Sequence, residues 1–307
     1  KNRLLMLKLS MNLTKYKNKK ILILGLGREG LDSLRFFLKH CPDCKLGVAD
    51  MVESDKFNPQ IKDLLAENRD IEIFSGENYL TAMENYDYII KSPGIPFFLP
   101  KIEQAAAENK ITSQSRIFFD NCPGKIIGVT GTKGKSTTAS IIYEIIKKSG
   151  KKVFLLGNIG IPMLSYLDAG DKETFFVCEL SAHQLYGLSK SPHIAVILNI
   201  YPEHLDYYRT YNEYIRAKAN ITIHQKENDY LIYNSANPET LQIADQSPAQ
   251  KIAFNDYQWS FSGKTKLIGG FNLQNAKIGA IIGRLLMIPN KIINEAKSLA
   301  TQNKFDE

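Results

Sequence analysis

The sequence predicts an α/β protein with two parallel-sheet domains, and three observations carry that expectation. A buried-strand pattern, Lys20-Ile21-Leu22-Ile23-Leu24, runs into Gly25-Leu26-Gly27-Arg28-Glu29-Gly30 and then a helix through Leu31, Leu34, Phe37 and Leu38. A second apolar strand, Lys125-Ile126-Ile127-Gly128-Val129, runs into Thr130-Gly131-Thr132-Lys133-Gly134-Lys135-Ser136-Thr137-Thr138 and a helix with apolar residues at Ala139, Ile141, Ile142, Ile145 and Ile146. Around both motifs short apolar strands alternate with helical stretches, the pattern that lays helices against a mostly parallel sheet. A Rossmann-like domain is therefore expected over residues 20–120 and a P-loop NTPase-like α/β domain over 121–307, with 1–19 a basic tail.

In the first domain the next strand ends at Ala49-Asp50, which completes a βαβ unit and puts an acidic residue 20 positions after Gly30. Alone, this is a dinucleotide-binding fingerprint, because the glycines allow a tight turn and the helix N-terminus favours pyrophosphate. A nicotinamide-dependent oxidoreductase would follow from it, although no group for hydride transfer accompanies the motif. Further strands are expected at Ile71–Phe74 and Tyr88–Ile90, with a helix from Ile102 to Asn109. The pattern weakens from Gln114 to Gly124, and the turn cluster Asn121-Cys122-Pro123-Gly124 marks the boundary. In the second domain strands are expected at Val153–Leu156, Phe175–Cys178, Ile194–Leu198 and Tyr230–Tyr233. A long helix from about Asn272 to Met287 presents Ala276, Ala280, Ile281 and Leu285.

A chain of 307 residues, 44% hydrophobic and 23% charged, is long and apolar enough for two ordinary globular cores. No apolar run approaches the roughly 18 residues of a membrane span. Leu4-Leu5-Met6-Leu7 is too short for a signal-peptide core, so a cytoplasmic location is expected. The net charge of +7 suits an anionic ligand. The lysines are scattered without an aromatic-interleaved stripe, so no nucleic-acid partner is expected, and Lys15 to Lys20 reads as a solvated tail. The four cysteines form no disulfide framework; Cys41-Pro42-Asp43-Cys44 is half of a zinc site and follows a helix, the wrong context for a thioredoxin-like motif.

The chemistry concentrates in the second domain. Its glycine loop aims backbone N–H groups and a helix N-terminus at one point, where Lys135 would reach outer phosphates and Ser136 or Thr137 would ligate Mg²⁺. Two residues lie between Gly131 and Gly134, whereas the common P-loop has four between its glycines. The strand Phe176-Val177-Cys178 delivers Glu179 to its carboxyl end, where a metal-binding carboxylate is wanted. The strand around Ile197-Leu198 ends in a polar loop holding His204 and Asp206, and Tyr214 and Lys218 share one helical face. Each feature has a bland counterpart: a chance Gly-Lys-Ser turn, an exposed strand end, a structural histidine, a solvated lysine.

Together, the segments GLGREG, KSPGIP, GVTGTKGKSTT, GNIGIP, ELSAHQL, ILNIYPEHLDYY, YIRAKANI and GGFNLQNA, in this order from about Ile21 to Ala280, resemble the Mur ligases, ATP-dependent amide-forming enzymes of peptidoglycan precursor synthesis. SPGI, GNIGIP and ELSxxQL look most like the branch that joins D-glutamate to UDP-N-acetylmuramoyl-L-alanine. The resemblance implies that the first domain holds the uridine diphosphate end of that substrate, not NAD, through Leu26, Gly27, Arg28 and Asp50. It implies ATP on Gly131, Thr132, Lys133, Gly134, Lys135, Ser136 and Thr137, with Asn272 and Asn275 as further nucleotide contacts. Two Mg²⁺ ions are implied, one on Ser136 or Thr137 with Glu179, the other on His204, with Lys218 a carbamylated metal ligand. Lys135, Glu179, His204 and Lys218 would carry catalysis, and Asn158, Ser181, Gln184 and Tyr214 would contact substrate.

The implied reaction activates the alanyl carboxylate as an acyl phosphate, which the amine of D-glutamate then attacks. Two departures stand out: Ala182-His183 replaces a more usual Ser-Phe, and Tyr201-Pro202-Glu203 replaces the usual residues before His-Leu-Asp. His183 reads as structural or as a pocket variant. The family continues into a third domain where this sequence stops at Phe305-Asp306-Glu307, so residues 1–307 are expected to bind UDP-sugar, and ATP weakly, without completing ligation. A sister Mur ligase or a folylpolyglutamate-type ligase is the alternative within the class, and a non-catalytic nucleotide-binding partner the alternative outside it.

Overall fold

The computed structural model describes residues 11–159, 161–258 and 270–299, so Leu4–Leu7, Gly160, Gly269 and Phe305–Glu307 lie outside the described residues. Two compact units divide the chain: one up to Asn121 together with Pro162–Ala169, the other Cys122–Ile161 and from Gly170 onward.

The first unit runs β1 (Lys20–Leu24), α1 (Arg28–His40), β2 (Lys45–Asp50), α2 (Pro59–Glu67), β3 (Glu72–Ser75), β4 (Tyr88–Lys91), α3 (Pro100–Ala107), β5 (Ile111–Thr112) and α4 (Gln114–Asn121). Its five strands are parallel in the order β3-β2-β1-β4-β5. Ile21, Leu22, Ile23 and Leu24 are fully buried, as a central strand covered on both faces must be. The strand order reverses between β1 and β4, and at that switch point the loop from Gly25 to Gly30 leaves the sheet. A Cβ at Gly30 would overlap the Gly25 carbonyl, so only glycine lets α1 start this close to the strand it follows.

Pro162–Ala169 was expected in the second domain; it packs instead with the first unit. The cause is one buried carboxylate on α1. Asp32 accepts hydrogen bonds from the Ser165 hydroxyl, the Leu164 N–H (3.1 Å) and Gln114 Nε2 (2.9 Å), while Gln114 Oε1 accepts from the Met163 N–H (3.3 Å). Burial raises the Asp32 pKa from its ordinary value, and the donors from Ser165 and Leu164 oppose that shift. The weak pattern after Gln114 is helix α4, whose successive Ile117, Phe118 and Phe119 are all buried and so hide the helical period. No disulfide framework was expected, yet Cys41 and Cys44 are paired as a disulfide, because the turn after α1 (Cys44 N–H to Cys41 carbonyl, 3.0 Å) brings them together.

The second unit runs β6 (Lys125–Thr130), α5 (Lys135–Lys148), β7 (Val153–Gly157), β8 (Phe175–Glu179), α6 (Ala182–Leu185), β9 (Ile194–Ile197), α7 (Tyr211–Ala219), β10 (Tyr230–Tyr233), α8 (Pro238–Gln246), β11 (Gln250–Ala253), α9 (Gly270–Leu285) and α10 (Asn290–Leu299). All its strand pairs are parallel, in the order β11-β10-β9-β6-β8-β7. β8 and β9 flank β6, with Val129 opposite Glu179 and Thr130 opposite Ile197, so the loops after these three strands emerge side by side. Ile141, Ile142, Ile145 and Ile146 of α5 are buried in one cluster with Ile278, Ile281 and Ile282 of α9 and Ile293 of α10. Each such side chain contributes roughly 1.5–3 kcal/mol. Among the described residues no helix is long and apolar enough to cross a membrane.

Candidate active site

In the second unit, β6 ends at Thr130, whose hydroxyl donates to the Leu180 carbonyl (2.8 Å). Gly131 (φ 153°) and Gly134 (φ 86°) then turn the chain into α5. A side chain at Gly131 would meet Leu198 Cβ at 2.8 Å, so that position needs glycine for space as well as conformation, and Gly134 needs it for conformation. Between them Thr132 is tied back to the β9 loop. Its N–H donates to the Asn199 carbonyl (2.6 Å), its Oγ1 accepts the Tyr201 N–H (3.0 Å), and the Tyr214 hydroxyl lies 3.2 Å away. The Thr138 hydroxyl donates to Asn275 Oδ1 (3.0 Å), which fixes α9 beside the loop. A small cavity of about 50 Å³ there is lined by Lys133, Gly134, Leu198, Asn199, Phe254 and Asn275. Ser136 and Thr137 open α5 half-buried, and Asn272, also half-buried, lies in the first turn of α9.

Around this cradle the ionisable groups are unusually buried. Glu179 is 1% exposed; its Oε1 accepts from Asn158 Nδ2 (3.2 Å), and its buried Oε2 has no hydrogen-bond partner among the described residues. Lys135 Nζ donates to the Thr132 carbonyl (3.0 Å), and burial lowers its pKa against the pull of Glu179 and Glu203. Lys218 is 2% exposed, donates to the Gly131 carbonyl (3.0 Å) and sits 4.7 Å from the Tyr214 ring centroid. Burial, with Lys135 adding repulsion, pushes Lys218 down to about 7. Burial likewise pushes the Tyr214 phenol up to about 12.

Glu203 is a charged neighbour of this cluster that the sequence alone did not mark out. It lies 3.8 Å from Lys133 Nζ and 3.6 Å from His204 Nε2, and its charge opposes the depressed pKa of both Lys135 and Lys218. The available signal was its place, a carboxylate next to His204 just beyond a buried strand. His204 itself has an exposed ring and φ 56°, a left-handed conformation costing on the order of 1–3 kcal/mol for such a residue. Its carbonyl accepts N–H bonds from Tyr207 and Tyr208, each 3.0 Å. Ser181 and Gln184 bond one another in the capping box of α6.

In the first unit Leu26, Gly27, Arg28 and Asp50 gather at the end of β1. The Asp50 carboxylate accepts the Leu26 N–H (2.6 Å) and the Val52 N–H (2.8 Å), and the Ser92 hydroxyl donates to the Gly25 carbonyl (2.7 Å). Arg28, exposed, is the first residue of α1.

Residues 129–260 match the family "Mur ligase middle domain", and residues 19–112 match "Mur ligase MurD-like, N-terminal domain". A UDP-N-acetylmuramoylalanine–D-glutamate ligase of Streptococcus agalactiae is 31% identical over 310 residues, covering 93% of this chain and 67% of its own length. The chain belongs to the Mur ligase family. A UDP-N-acetylmuramoylalanine–D-glutamate ligase of Acetivibrio thermocellus is 36% identical over 245 residues, 78% of this chain and 51% of its own. The chain thus spans from half to two thirds of the length of these Mur ligases. A UDP-N-acetylmuramate:L-alanyl-γ-D-glutamyl-meso-diaminopimelate ligase from Neisseria meningitides superposes with a TM-score of 0.59 at 16% identity, over 91% of this chain and 97% of that one. At that identity the likeness concerns the fold.

Proposed function

We propose that this protein is an ATP-dependent ligase joining D-glutamate to UDP-N-acetylmuramoyl-L-alanine. One observation carries the reading: a glycine cradle at a helix N-terminus, ringed by half-buried Lys135, buried Lys218 and a buried Glu179 oxygen without a partner among the described residues. A triphosphate fits such a cradle because backbone N–H groups and a lysine meet its charge. The orphan Glu179 oxygen fits a hard divalent cation, which prefers oxygen donors. Glu179 with Ser136 or Thr137 would hold one Mg²⁺, and His204 with Lys218 a second. Bound magnesium supplies charge neutralisation between two anionic reactants.

The residues of this chain then act by position and charge. The loop and Lys135 hold ATP so that an oxygen of the alanyl carboxylate attacks the γ-phosphorus, forming an acyl phosphate and releasing ADP. The D-glutamate amine attacks the acyl carbon, loses a proton, and the C–O bond to phosphate breaks to leave the amide. Asn158, Ser181, Gln184 and Tyr214 would orient the substrate; Asn272 and Asn275 would contact the nucleotide. Lys218 has a large neutral fraction near pH 7. Its free amine adds to carbon dioxide, releasing a proton and leaving a carbamate whose oxygens suit magnesium where an ammonium would repel it. In the first unit, the Gly27 loop and Arg28 would bind the uridine diphosphate end, with Asp50 and Leu26 shaping the turn.

The test is ADP formation by the full-length protein with UDP-N-acetylmuramoyl-L-alanine, UDP-N-acetylmuramate or folate, each with D-glutamate. ADP release that requires both UDP-N-acetylmuramoyl-L-alanine and D-glutamate is expected. Turnover confined to UDP-N-acetylmuramate or folate would reassign the substrate, and no acceptor-dependent ADP at all would overturn the ligase reading.

A further inference from the structure

One histidine beside the candidate site has no part in the ligation scheme above. His183 is the second residue of α6, set in place by the Ser181–Gln184 capping box. Its ring centroid lies 3.9 Å from that of Tyr207 and 5.0 Å from that of His204, and the ring stacks on Tyr208 at an interplanar angle of 6°. His183 Nδ1 is 3.1 Å from the Tyr208 hydroxyl. Tyr208 is 1% exposed, and its backbone N–H donates to the His204 carbonyl. His183, Tyr208 and His204 therefore close a ring of contacts, one side chain to side chain, one backbone, one edge-on between imidazoles.

We infer that His183 is a positioning residue: by accepting the Tyr208 hydroxyl at Nδ1 it clamps the turn from His204 to Tyr208 and so aims the His204 ring. A non-glycine residue stays in a left-handed conformation only where its surroundings over-determine it, and His204 is such a residue. Burial raises the Tyr208 pKa above the ordinary phenol value, which keeps the hydroxyl protonated and able to donate. In the tautomer protonated at Nε2, His183 Nδ1 is the acceptor of that hydroxyl. A phenylalanine at position 183 keeps the stacking but cannot accept the hydroxyl, so the clamp is specific to this side chain. The clamp stands on the geometry; its consequence for metal binding rests on the ligase reading.

The experiment compares His183→Phe, Tyr208→Phe, the double variant and His183→Asn, whose amide oxygen accepts the same hydroxyl, in the full-length protein. The first readout is the imidazole ¹⁵N resonances of His204 without metal; the second is the Mg²⁺ concentration giving half-maximal ATP turnover. Both single variants are expected to move the His204 resonances alike and to raise the Mg²⁺ requirement about tenfold, the low end for an outer-shell partner. The double variant should add nothing, and His183→Asn should restore most of the loss. Unchanged His204 resonances in His183→Phe, or additive effects in the double variant, would overturn the inference. If the unsubstituted protein shows no acceptor-dependent turnover, the ligase reading fails while the resonances still decide the role of His183. Should His183→Phe not fold, Tyr208→Phe against His183→Asn gives the same comparison.

Discussion

The two glycine loops share a geometry and differ in their charges. Each follows the central strand of a parallel sheet and opens a helix, one at Gly27 and one at Gly134. The first is closed by local bonds, Asp50 on the Leu26 N–H and Ser92 on the Gly25 carbonyl; Arg28 and Asp50 lie toward solvent, and the buried Lys91 beside it donates to the Ser92 and Ile95 carbonyls. The second is walled by Lys218 and Glu179, drawn out of water, and by half-buried Lys135. Backbone dipoles alone suffice for a diphosphate tethered by the rest of a large substrate. A reacting triphosphate beside a carboxylate needs fixed charges of both signs as well, and the second loop has buried Lys218 and Glu179 beside it.

That contrast breaks most readily at Lys135. Lys135→Ala should lower ATP-dependent turnover of the full-length protein by about 10²–10³, the loss typical of one preorganised charge donor. UDP binding, followed by calorimetry, should be untouched; a parallel loss would show that the two loops do not divide the work. Gly30→Ala attacks the other loop by forcing a Cβ into the Gly25 carbonyl. It should destabilise the protein by about 1–3 kcal/mol in denaturant titration and weaken UDP before ATP.

A third test sharpens the electrostatic side. Lys218 titrates near 7 when folded and near 10.5 when unfolded, so between those values the unfolded chain binds the extra proton and stability rises with pH. Lys218→Met lacks that slope. In carbon-dioxide-free buffer the original protein should therefore gain on the variant by up to about 1.4 kcal/mol per pH unit from pH 7 to 10. A constant difference across that range would mean that the amine is not desolvated. The smallest effect belongs to Asp50→Asn, which weakens the acceptor for the Leu26 N–H and should cost UDP binding about 1 kcal/mol.

The strands and helices that frame both loops were legible because each loop interrupts an apolar run, as in Ile21–Leu24 before Gly25 and Ile126–Val129 before Thr130. Helix α4 was not, since Ile117, Phe118 and Phe119 are buried in succession and erase the period that reveals a helix. β11 escaped notice for the opposite reason: on the sheet edge, Gln250 and Lys251 are exposed and only Ile252 and Ala253 are half-covered. In the candidate site, residue types announced Lys135, Glu179 and Lys218, but not how deeply they lie. Burial depends on neighbours distant in the chain, such as Gly131 above Lys218. Glu203 stayed hidden because a loop carboxylate is usually solvated, and its contacts with Lys133 and His204 exist only after folding.

Because Asp32 draws Leu164 and Ser165 into the first unit, the polypeptide passes between units at three junctions, not one. A gene cut after Asn121 would thus release an incomplete module, its α1 acid stripped of two donors and facing bulk solvent or an empty slot. A working excision must graft the Pro162–Ala169 strand of chain back on, for instance through a short glycine linker after Asn121, and restoration of cooperative melting by that graft would measure how much of the module's integrity this borrowed octapeptide supplies.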